Sequence, residues 1–248
     1  MANTSPSGDA TDRMLKAVLF DFGQTLVDSA GGFRAAEKRV QRQLFERLDG
    51  VPWDDFIEQY RGARTRYQKA SNFSRRELWR AVLAFWGDDP DELLVEQWET
   101  QYWAEVRRSS QPFPETERVL NELQAEYRLG LITNTQGQGS EGSHRMSRFP
   151  EFRDRFDTIV VAGEAGVPPK PDPLPFSLCL GELAVGRDEA VYVGDDWDID
   201  IKGAVNAGIQ AIWLKHHTVR RNWPCVATTV PVITSLEELL RLDELIRT

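Results

Sequence analysis

The sequence contains no run of 18 or more apolar residues, and its first thirteen residues are mostly polar. A membrane-spanning helix needs about 20 apolar residues in succession and a signal peptide needs an apolar centre, so we expect neither. Cysteine is also scarce, since Cys179 and Cys225 are the only two and form no CxxC pair. We therefore expect free thiols and a soluble, cytoplasmic protein.

The chain also lacks an excess of positively charged residues. The chain has 30 Lys and Arg residues against 39 Asp and Glu residues, which gives a net charge of -9. A protein with this balance repels phosphate polymers, so neither nucleic acid nor an anionic membrane is an expected partner. A small anion can still bind where a few cations gather.

The chain does contain enough apolar residues for a sizeable core, 41% of 248. Between residues 30 and 110 they recur at three- and four-residue intervals in four stretches, which is typical of amphipathic helices. The third stretch starts with the N-cap pattern Ser74-x-x-Glu77. Five of the eight tryptophans lie in this block, and we expect most of them to pack inside it: Trp53, Trp79, Trp86, Trp98 and Trp103.

Short apolar runs alternate with helical stretches in the rest of the chain, beginning with "KAVLF" at residues 16–20. This pattern predicts an α/β fold, a Rossmann-like doubly wound parallel sheet covered on both faces. We divide the chain into a flexible N-terminal tail (1–13), a discontinuous α/β core domain (14–28 and 112–248) and an inserted all-helical cap domain (29–111).

Polar side chains follow the predicted strands. "DFGQT" comes after the first strand, "TNT" after the second and "GDDWDID" after the fourth, while "PPKPDP" lies between the third and fourth. In an open parallel sheet, ligands bind beyond the carboxyl ends of the strands. The sequence therefore predicts one site that contains acids, hydroxyls and a lysine.

These four segments, in this order, resemble the motifs of the haloacid dehalogenase superfamily of hydrolases. The resemblance extends from Lys16 to the end of the chain, and the helical block lies where subfamily I members carry their helical cap of the first class. It implies a phosphatase-like enzyme that contains Mg²⁺ and acts on a small phosphorylated metabolite. The expected reaction is attack by Asp21 on phosphorus to give an aspartyl-phosphate.

The resemblance also assigns roles to individual residues. Asp21, the backbone carbonyl of Gly23 and Asp195 would bind Mg²⁺. Thr133, Asn134 and Lys170 would hold the phosphate, and Asp200 would orient a metal-bound water or Lys170. Thr25 and Asp196, together with Asp200, would lie behind the metal ligands. An EF-hand in "DDWDID" is excluded, because its required Gly and Glu positions hold Ile201 and Ala207.

Gly23 departs from the family pattern, in which phosphatases carry a second aspartate two residues after the nucleophile. That acid protonates the leaving group, and such help is worth on the order of 10² to 10⁴ in rate. A phosphatase without it should favour substrates with good leaving groups, such as aryl, acyl or anomeric phosphates.

Other functions stay open at this point. One is a member that binds a phosphorylated ligand or a protein with weak or no catalysis. A 2-haloacid dehalogenase is another, although that branch replaces the fourth-motif acid that this chain keeps as Asp195. Phosphonate cleavage would need a cap lysine, for which Lys69 is available without further support.

Substrate contacts are harder to place from the sequence. We predict them at Phe33 and Arg34, just inside the cap. The glycine-rich segment at 135–144 replaces the helix that usually follows the second motif, and we expect a mobile loop there. His144, at its end, receives no role.

Overall fold

A computed structural model of the chain describes residues 14–70, 72–135 and 149–246. Its centre is a six-stranded parallel sheet in the order β5-β4-β1-β6-β7-β8. The strands are β1 (Ala17–Phe20), β4 (Arg128–Asn134), β5 (Thr158–Ala162), β6 (Ala190–Gly194), β7 (Gln210–Leu214) and β8 (Val232–Ile233). Phe20, the last residue of β1, pairs with Leu131 and Val193, so the residues that follow these three strands meet at one edge.

Both faces of the sheet are covered, as the apolar runs predict. Alternate residues of β1 point to opposite faces, so Val18 and Phe20 join one apolar cluster while Ala17 and Leu19 join another. The covering helices are α5 (Thr116–Gln124), α6 (Pro150–Arg153), α7 (Pro173–Leu183), α8 (Lys202–Asn206) and α9 (Leu242–Ile246), with 3-10 turns at Arg187–Glu189 and Leu236–Arg241. The predicted fold class is confirmed.

Four helices form a second apolar core of their own. They are α1 (Ala30–Phe45), α2 (Trp53–Lys69), α3 (Arg75–Ala84) and α4 (Glu92–Ser109). Trp79, Trp98 and Trp103 are buried among them, whereas Trp53 is 41% exposed. No helix in the described ranges is both long and apolar enough to cross a membrane.

The start of α3 shows how far the predicted capping pattern is realised. The Ser74 hydroxyl accepts a hydrogen bond from the backbone N–H of Glu77 at 3.3 Å. The Glu77 carboxylate, however, accepts from the side chain of Asn72, and the Asn72 amide oxygen accepts from the Ser74 N–H. Asn72 thus supplies the second half of the cap.

The chain passes between the sheet and the four helices at two adjacent points. β2 (Val27–Asp28) and β3 (Gln111–Pro112) pair antiparallel and form a short ribbon. The predicted domain boundaries at 28/29 and 111/112 fall in this ribbon, and the division into two domains remains our prediction. The predicted tail (1–13) lies outside the described residues.

Candidate active site

Asp21 lies at the carboxyl end of β1, where the sequence analysis places a nucleophile. Its backbone N–H donates to the carbonyl of Val193 at 2.9 Å, which continues the pairing of β1 with β6 for one more residue. The side chain is buried, and its Oδ1 accepts a hydrogen bond from Lys170 Nζ at 2.7 Å. A buried carboxylate is thereby fixed beside a buried ammonium group.

Lys170 is the cation of the site and is fully enclosed. Its Nζ lies 2.7 to 2.8 Å from four acceptors: Asp21 Oδ1, Asp200 Oδ1, the Tyr192 hydroxyl and the carbonyl of Ile132. Burial by itself lowers the pKa of Lys170, but the carboxylates of Asp200 and Asp21 outweigh it, so that the pKa is raised. The side chain is therefore charged at neutral pH.

Asn134 holds the lysine from the end of β4. Its Oδ1 accepts from the backbone N–H of Lys170 at 2.8 Å, and its Nδ2 donates to the Lys170 carbonyl at 3.1 Å. The Asn134 side chain is thus committed to the loop that carries Lys170. Its predicted part in phosphate binding stays a prediction.

Asp195 and Asp200 complete a cluster of buried acids with Asp21. One carboxylate oxygen from each lies within 4.8 Å of the other two. Burial raises the pKa of Asp195 well above its usual range, and the charges of Asp200 and Asp21 raise it further. Three carboxylates this close, offering only oxygen donors, fit the ligand preference of Mg²⁺. Asp21 and Asp195, two of the three groups that we assigned to Mg²⁺ binding, belong to this cluster, and the assignment of the Gly23 carbonyl stays a prediction.

The turn that carries Asp200 has an unusual form. Residues Trp197–Ile201 make a π-helical turn, and the Asp196 carboxylate caps it by accepting from the N–H groups of Asp198 and Ile199. The Asp196 N–H in turn donates to Asp200 Oδ2 at 3.0 Å. Asp196 thus positions Asp200, and its predicted place behind the metal ligands stays a prediction.

Glycine is required just before this turn. A Cβ atom on Gly194 would lie 2.5 Å from Cβ of Asp200, so any side chain there would displace the acid. The "GD" of the motif therefore has a steric reason for its first residue as well as a chemical reason for its second.

Two hydroxyls at this edge of the sheet have no hydrogen-bond partner among the described residues. They are Thr133 Oγ1 and Thr25 Oγ1, and both residues are completely buried. A buried polar atom left unpaired is costly and commonly marks the place of a ligand or an ordered water. For Thr133 this agrees with the predicted phosphate contact.

Gly23 lines the site cavity and contributes no acid. The next residue, Gln24, has a left-handed backbone (φ +65°) and extends its side-chain amide to Asp28 and Ser29 at the start of α1. With the amide reversed, its oxygen accepts from the N–H groups of Ser29 and Ala30 at 2.7 and 3.0 Å. Gln24 connects the loop after β1 to the start of α1, and its amide cannot replace an acidic proton donor.

The cavity has a volume of about 230 Å³ and is lined both by residues at the edge of the sheet and by residues from the cap region. Phe33, predicted as a substrate contact, lines it, and so does Phe73, which we did not predict. Arg34 and Lys69 are both exposed and neither lines the cavity. Of the glycine-rich segment 135–144, only Thr135 is described, and His144 lies outside the described residues.

Arg221 is the residue that the sequence analysis missed. It follows β7 in "TVRRNWP", and its guanidinium lines the same cavity. Nη1 donates to Asp195 Oδ2 at 2.7 Å, and Nη2 donates to the Asp195 carbonyl at 2.6 Å. Examining the residues after β7, as we did for the other strands, would have found it.

Three tryptophans outside the cap support this arginine. The Arg221 guanidinium lies 4.1 Å from the ring centre of Trp223, which packs edge-on against Trp213. Trp213 also contacts Trp197, and its indole N–H donates to the Asp195 carbonyl at 3.0 Å. Asp195 and Arg221 are thus held by a rigid aromatic group.

Comparison with known proteins agrees with this geometry. Residues 18–214 match the family model described as haloacid dehalogenase-like hydrolase. A glyceraldehyde 3-phosphate phosphatase from Methanothermobacter thermautotrophicus is 28% identical over 94% of this chain and 100% of its own.

Solved structures give the same result. A 2-haloacid dehalogenase from Pseudomonas syringae pv. Tomato is 28% identical, with a TM-score of 0.66 over 94% of this chain and 99% of that one. The HAD-hydrolase YfnB from Bacillus subtilis, bound to magnesium, is 25% identical, with a TM-score of 0.62 over 92% and 98%. With the sheet, the order of its motifs and the clustered acids in agreement, the chain belongs to the haloacid dehalogenase-like hydrolases.

Proposed function

We propose that this hydrolase is a Mg²⁺-dependent phosphatase that acts on a small phosphorylated metabolite through an aspartyl-phosphate on Asp21. The observation that carries the proposal is the cluster of Asp21, Asp195 and Asp200 beside the buried Lys170, which Asp21 and Asp200 contact directly. The curated relative at 28% identity is a phosphatase by name, and YfnB was solved with magnesium.

The chain's own residues account for the first step. An oxygen of the Asp21 carboxylate attacks phosphorus, the P–O bond to the leaving group breaks, and the leaving oxygen takes the electron pair. Asp21 accepts a hydrogen bond from Lys170 at 2.7 Å, which fixes its rotamer. Thr133, whose hydroxyl has no partner in the described part of the chain, is available to a phosphoryl oxygen.

A metal ion would be held by Asp21, Asp195 and the carbonyl of Gly23. When bound, it offsets the charge of the phosphoryl oxygens. Water then cleaves the acyl phosphate and regenerates the Asp21 carboxylate. Since Gly23 cannot protonate the leaving oxygen, its proton comes from solvent, and substrates with stable leaving anions react best.

Dehalogenation is the second candidate, because one structural relative carries that name. It also begins with carboxylate attack, at carbon instead of phosphorus. The buried acid cluster favours the phosphatase, because three carboxylates within 4.8 Å of one another are suited to a divalent cation. Release of halide from 2-haloacids without metal would support the dehalogenase.

The test of the proposed function is a phosphatase assay with and without Mg²⁺. Substrates should include p-nitrophenyl phosphate, sugar 1-phosphates and simple alkyl phosphates. We expect hydrolysis that chelation abolishes and that Asp21→Asn lowers by at least about 10³-fold, since the nucleophile is lost. The matched control is Asp198→Asn, an exposed acid of the same site region that pairs with Lys202.

Two results would contradict the proposal. Activity that survives chelation would exclude a metal requirement. Activity unchanged in Asp21→Asn would exclude the aspartyl-phosphate intermediate. Tight binding of phosphorylated ligands without turnover would instead assign the chain to the binding-only class.

A further inference from the structure

The ammonium group of Lys170 has no donor left for a substrate. A lysine offers three N–H bonds, and four acceptors already lie within 2.8 Å of Nζ: two carboxylates, one hydroxyl and one carbonyl. A substrate oxygen could bind Nζ only by displacing one of them. Any further anionic group on the substrate therefore needs a different cation.

Arg221 is the other cation that lines the cavity. Two of its N–H groups donate to Asp195, one to Oδ2 and one to the carbonyl. A guanidinium has five N–H donors in all. No further acceptor for Arg221 occurs within the described ranges, so three donors remain available. The side chain is 31% exposed, whereas that of Lys170 is 1% exposed.

The position of Arg221 separates it from the expected phosphate contacts. Across the sheet edge the order is Thr133 near the end of β4, then Asp21 after β1, Asp195 after β6 and Arg221 beyond β7. A phosphoryl group on Asp21 that is held from the β4 side therefore leaves Arg221 on its far side. Arg221 lines the same cavity as Phe33 and Phe73, which come from the helical region, so its guanidinium is available to the rest of a substrate that occupies this cavity.

The charges around the cavity make Arg221 necessary for the binding of a second anionic group of the substrate. Four carboxylates line it, those of Asp21, Asp195, Asp196 and Asp200, against the two cations Lys170 and Arg221. With a divalent ion bound, the fixed charges balance only when Arg221 is included. Without Arg221 the cavity would repel an added negative group.

We propose that Arg221 binds a second oxyanion, a carboxylate or phosphate, on the leaving-group side of the substrate. This inference rests on the proposed phosphatase function and adds the substrate class to it, monoesters that carry a second negative charge. The bonds to Asp195 and the stacking on Trp223 hold the guanidinium ready, so little conformational entropy is lost when the oxyanion binds.

The test uses two aryl phosphates that differ only in this charge, 3-carboxyphenyl phosphate and 3-carbamoylphenyl phosphate. Wild-type enzyme at saturating Mg²⁺ should show a kcat/KM at least about tenfold higher for the carboxylate, as charged hydrogen bonds contribute more than neutral ones. Arg221→Met should reduce this ratio to about one. Arg221→Lys, with a single-point cation, should keep part of it.

The matched control is Arg220→Met, since Arg220 is the exposed sequence neighbour of Arg221 and does not line the cavity. It should leave the ratio unchanged. A second readout is calorimetric binding of the two corresponding aryl phosphonates, which are not hydrolysed. The carboxylate analogue should bind more tightly to wild type and to Arg220→Met, but not to Arg221→Met.

Two outcomes overturn the inference. One is a wild-type ratio near one in both readouts. The other is a loss in Arg221→Met that is equal for both substrates, which would assign Arg221 to holding Asp195 or the reacting phosphoryl group. Failure of the proposed function looks different: neither ester is hydrolysed, while the phosphonates still bind with the carboxylate preference.

Discussion

Each of the four acids that line the cavity already has a hydrogen-bond partner, and this bears on how the leaving group is protonated when position 23 is a glycine. Asp21 and Asp200 bind Lys170, Asp195 binds Arg221, and Asp196 caps the turn before Asp200. None of these four carboxylates is placed as a spare proton donor for a leaving group. Among the described residues, the acids that line the cavity are thus already engaged by other groups and do not replace the acid absent at position 23.

Gly23→Asp should restore proton donation. The backbone at Gly23 is not in the left-handed region, so an aspartate there causes no backbone strain. We expect kcat/KM for ethyl phosphate to rise by on the order of 10² relative to that for p-nitrophenyl phosphate, because only the poor leaving group needs the proton. Steady-state kinetics with both substrates measure this.

Gly23→Asn is the matched control, since it has the same size and no acidic proton. It should give no selective gain for ethyl phosphate. Equal changes for both substrates in Gly23→Asp would show that leaving-group protonation does not limit this enzyme.

At this scale the sequence predicts which residues converge but not what each side chain binds. Asp21, Thr133, Lys170 and Asp195 follow buried strands or lie in a motif of fixed order, and the sheet brings such positions together. The engagement of Asn134 with the backbone of Lys170 depends on a loop conformation that no periodicity encodes. Arg221 belongs to no motif we considered.

The segment between β6 and β7 shows that prediction from the sequence is also limited for a whole secondary-structure element. The alternation of apolar runs and helical stretches predicts a regular helix here, whereas the chain forms a π-helical turn at Trp197–Ile201 before α8. The wider turn places the Asp200 carboxylate on Lys170 and on the Asp196 N–H. A tertiary contact thus overrides the local helical preference, and π-turns of this kind are common at functional sites.

The ribbon of β2 and β3 is supported by a buried histidine. Phe113, directly after β3, donates its N–H to the carbonyl of Leu26 and stacks on His216, with ring centres 3.7 Å apart. His216 Nδ1 accepts from the Thr218 N–H, so the other ring nitrogen carries the proton that faces Glu115. The neutral imidazole therefore satisfies both partners.

This arrangement makes stability depend on pH. Burial lowers the pKa of His216 despite the opposing effect of Glu115. A histidine whose folded pKa lies below its unfolded value contributes stability above the unfolded pKa, and this is lost as the pH falls below about 6.5. Burial would raise the pKa of Glu115, but hydrogen bonds from its own N–H, His216 and Ser235 lower it, which adds a loss in the same direction at lower pH.

His216→Ala should reduce both stability and its pH dependence. We expect the free energy of unfolding to fall by about 1 to 3 kcal/mol at about pH 7.5, because the Glu115 carboxylate loses its partner and Phe113 its stacking contact. Between about pH 7.5 and about pH 5.5, the further loss should be smaller in the variant than in wild type. Urea unfolding at the two pH values measures both quantities.

The exposed neighbour provides the control for this experiment. His217→Ala should retain most of the wild-type pH dependence, since His217 is exposed and its ring hydrogen-bonds the carbonyl of Thr234. Its ring also stacks on His216, with ring centres 4.6 Å apart, but its effect on the pKa of His216 is smaller than that of burial. The same pH dependence in wild type and His216→Ala would show that His216 does not titrate on unfolding.

For the whole molecule, the sequence predicts the layers well, because the way in which each element is buried determines the pattern of its apolar residues. A strand buried on both faces, such as β1, reads as a continuous apolar run, and the cap helices read as amphipathic stretches. How the helical layer meets the sheet cannot be read in this way. The two phenylalanines that reach the cavity, Phe33 and Phe73, come from different cap segments, and only Phe33 was predicted.

Clustered acids in the centre of an acidic protein should also affect global stability. Three buried carboxylates repel one another in the folded chain, and a bound divalent cation removes that repulsion. An ion that binds only the folded state, as we propose for Mg²⁺, should stabilise it by about 2.7 kcal/mol at about 100 times its dissociation constant. Thermal unfolding with and without Mg²⁺ measures the shift in melting temperature.

Asp195→Asn should abolish this shift, because one ligand charge is lost. Asp198→Asn should keep it, since Asp198 is exposed and pairs with Lys202. A shift of equal size in wild type and Asp195→Asn would place the metal elsewhere.

The ribbon of β2 and β3 has a further consequence for how such an enzyme diversifies. Because Val27–Asp28 lies hydrogen-bonded beside Gln111–Pro112, the chain leaves the sheet layer and re-enters it at one point. Residues 29–110 are therefore an insertion whose two ends lie side by side. Changes in its length or composition leave the pairing of β1 with β4 and β6 in register. A single contiguous block of sequence can therefore change while Asp21, Lys170 and Asp195 keep their places.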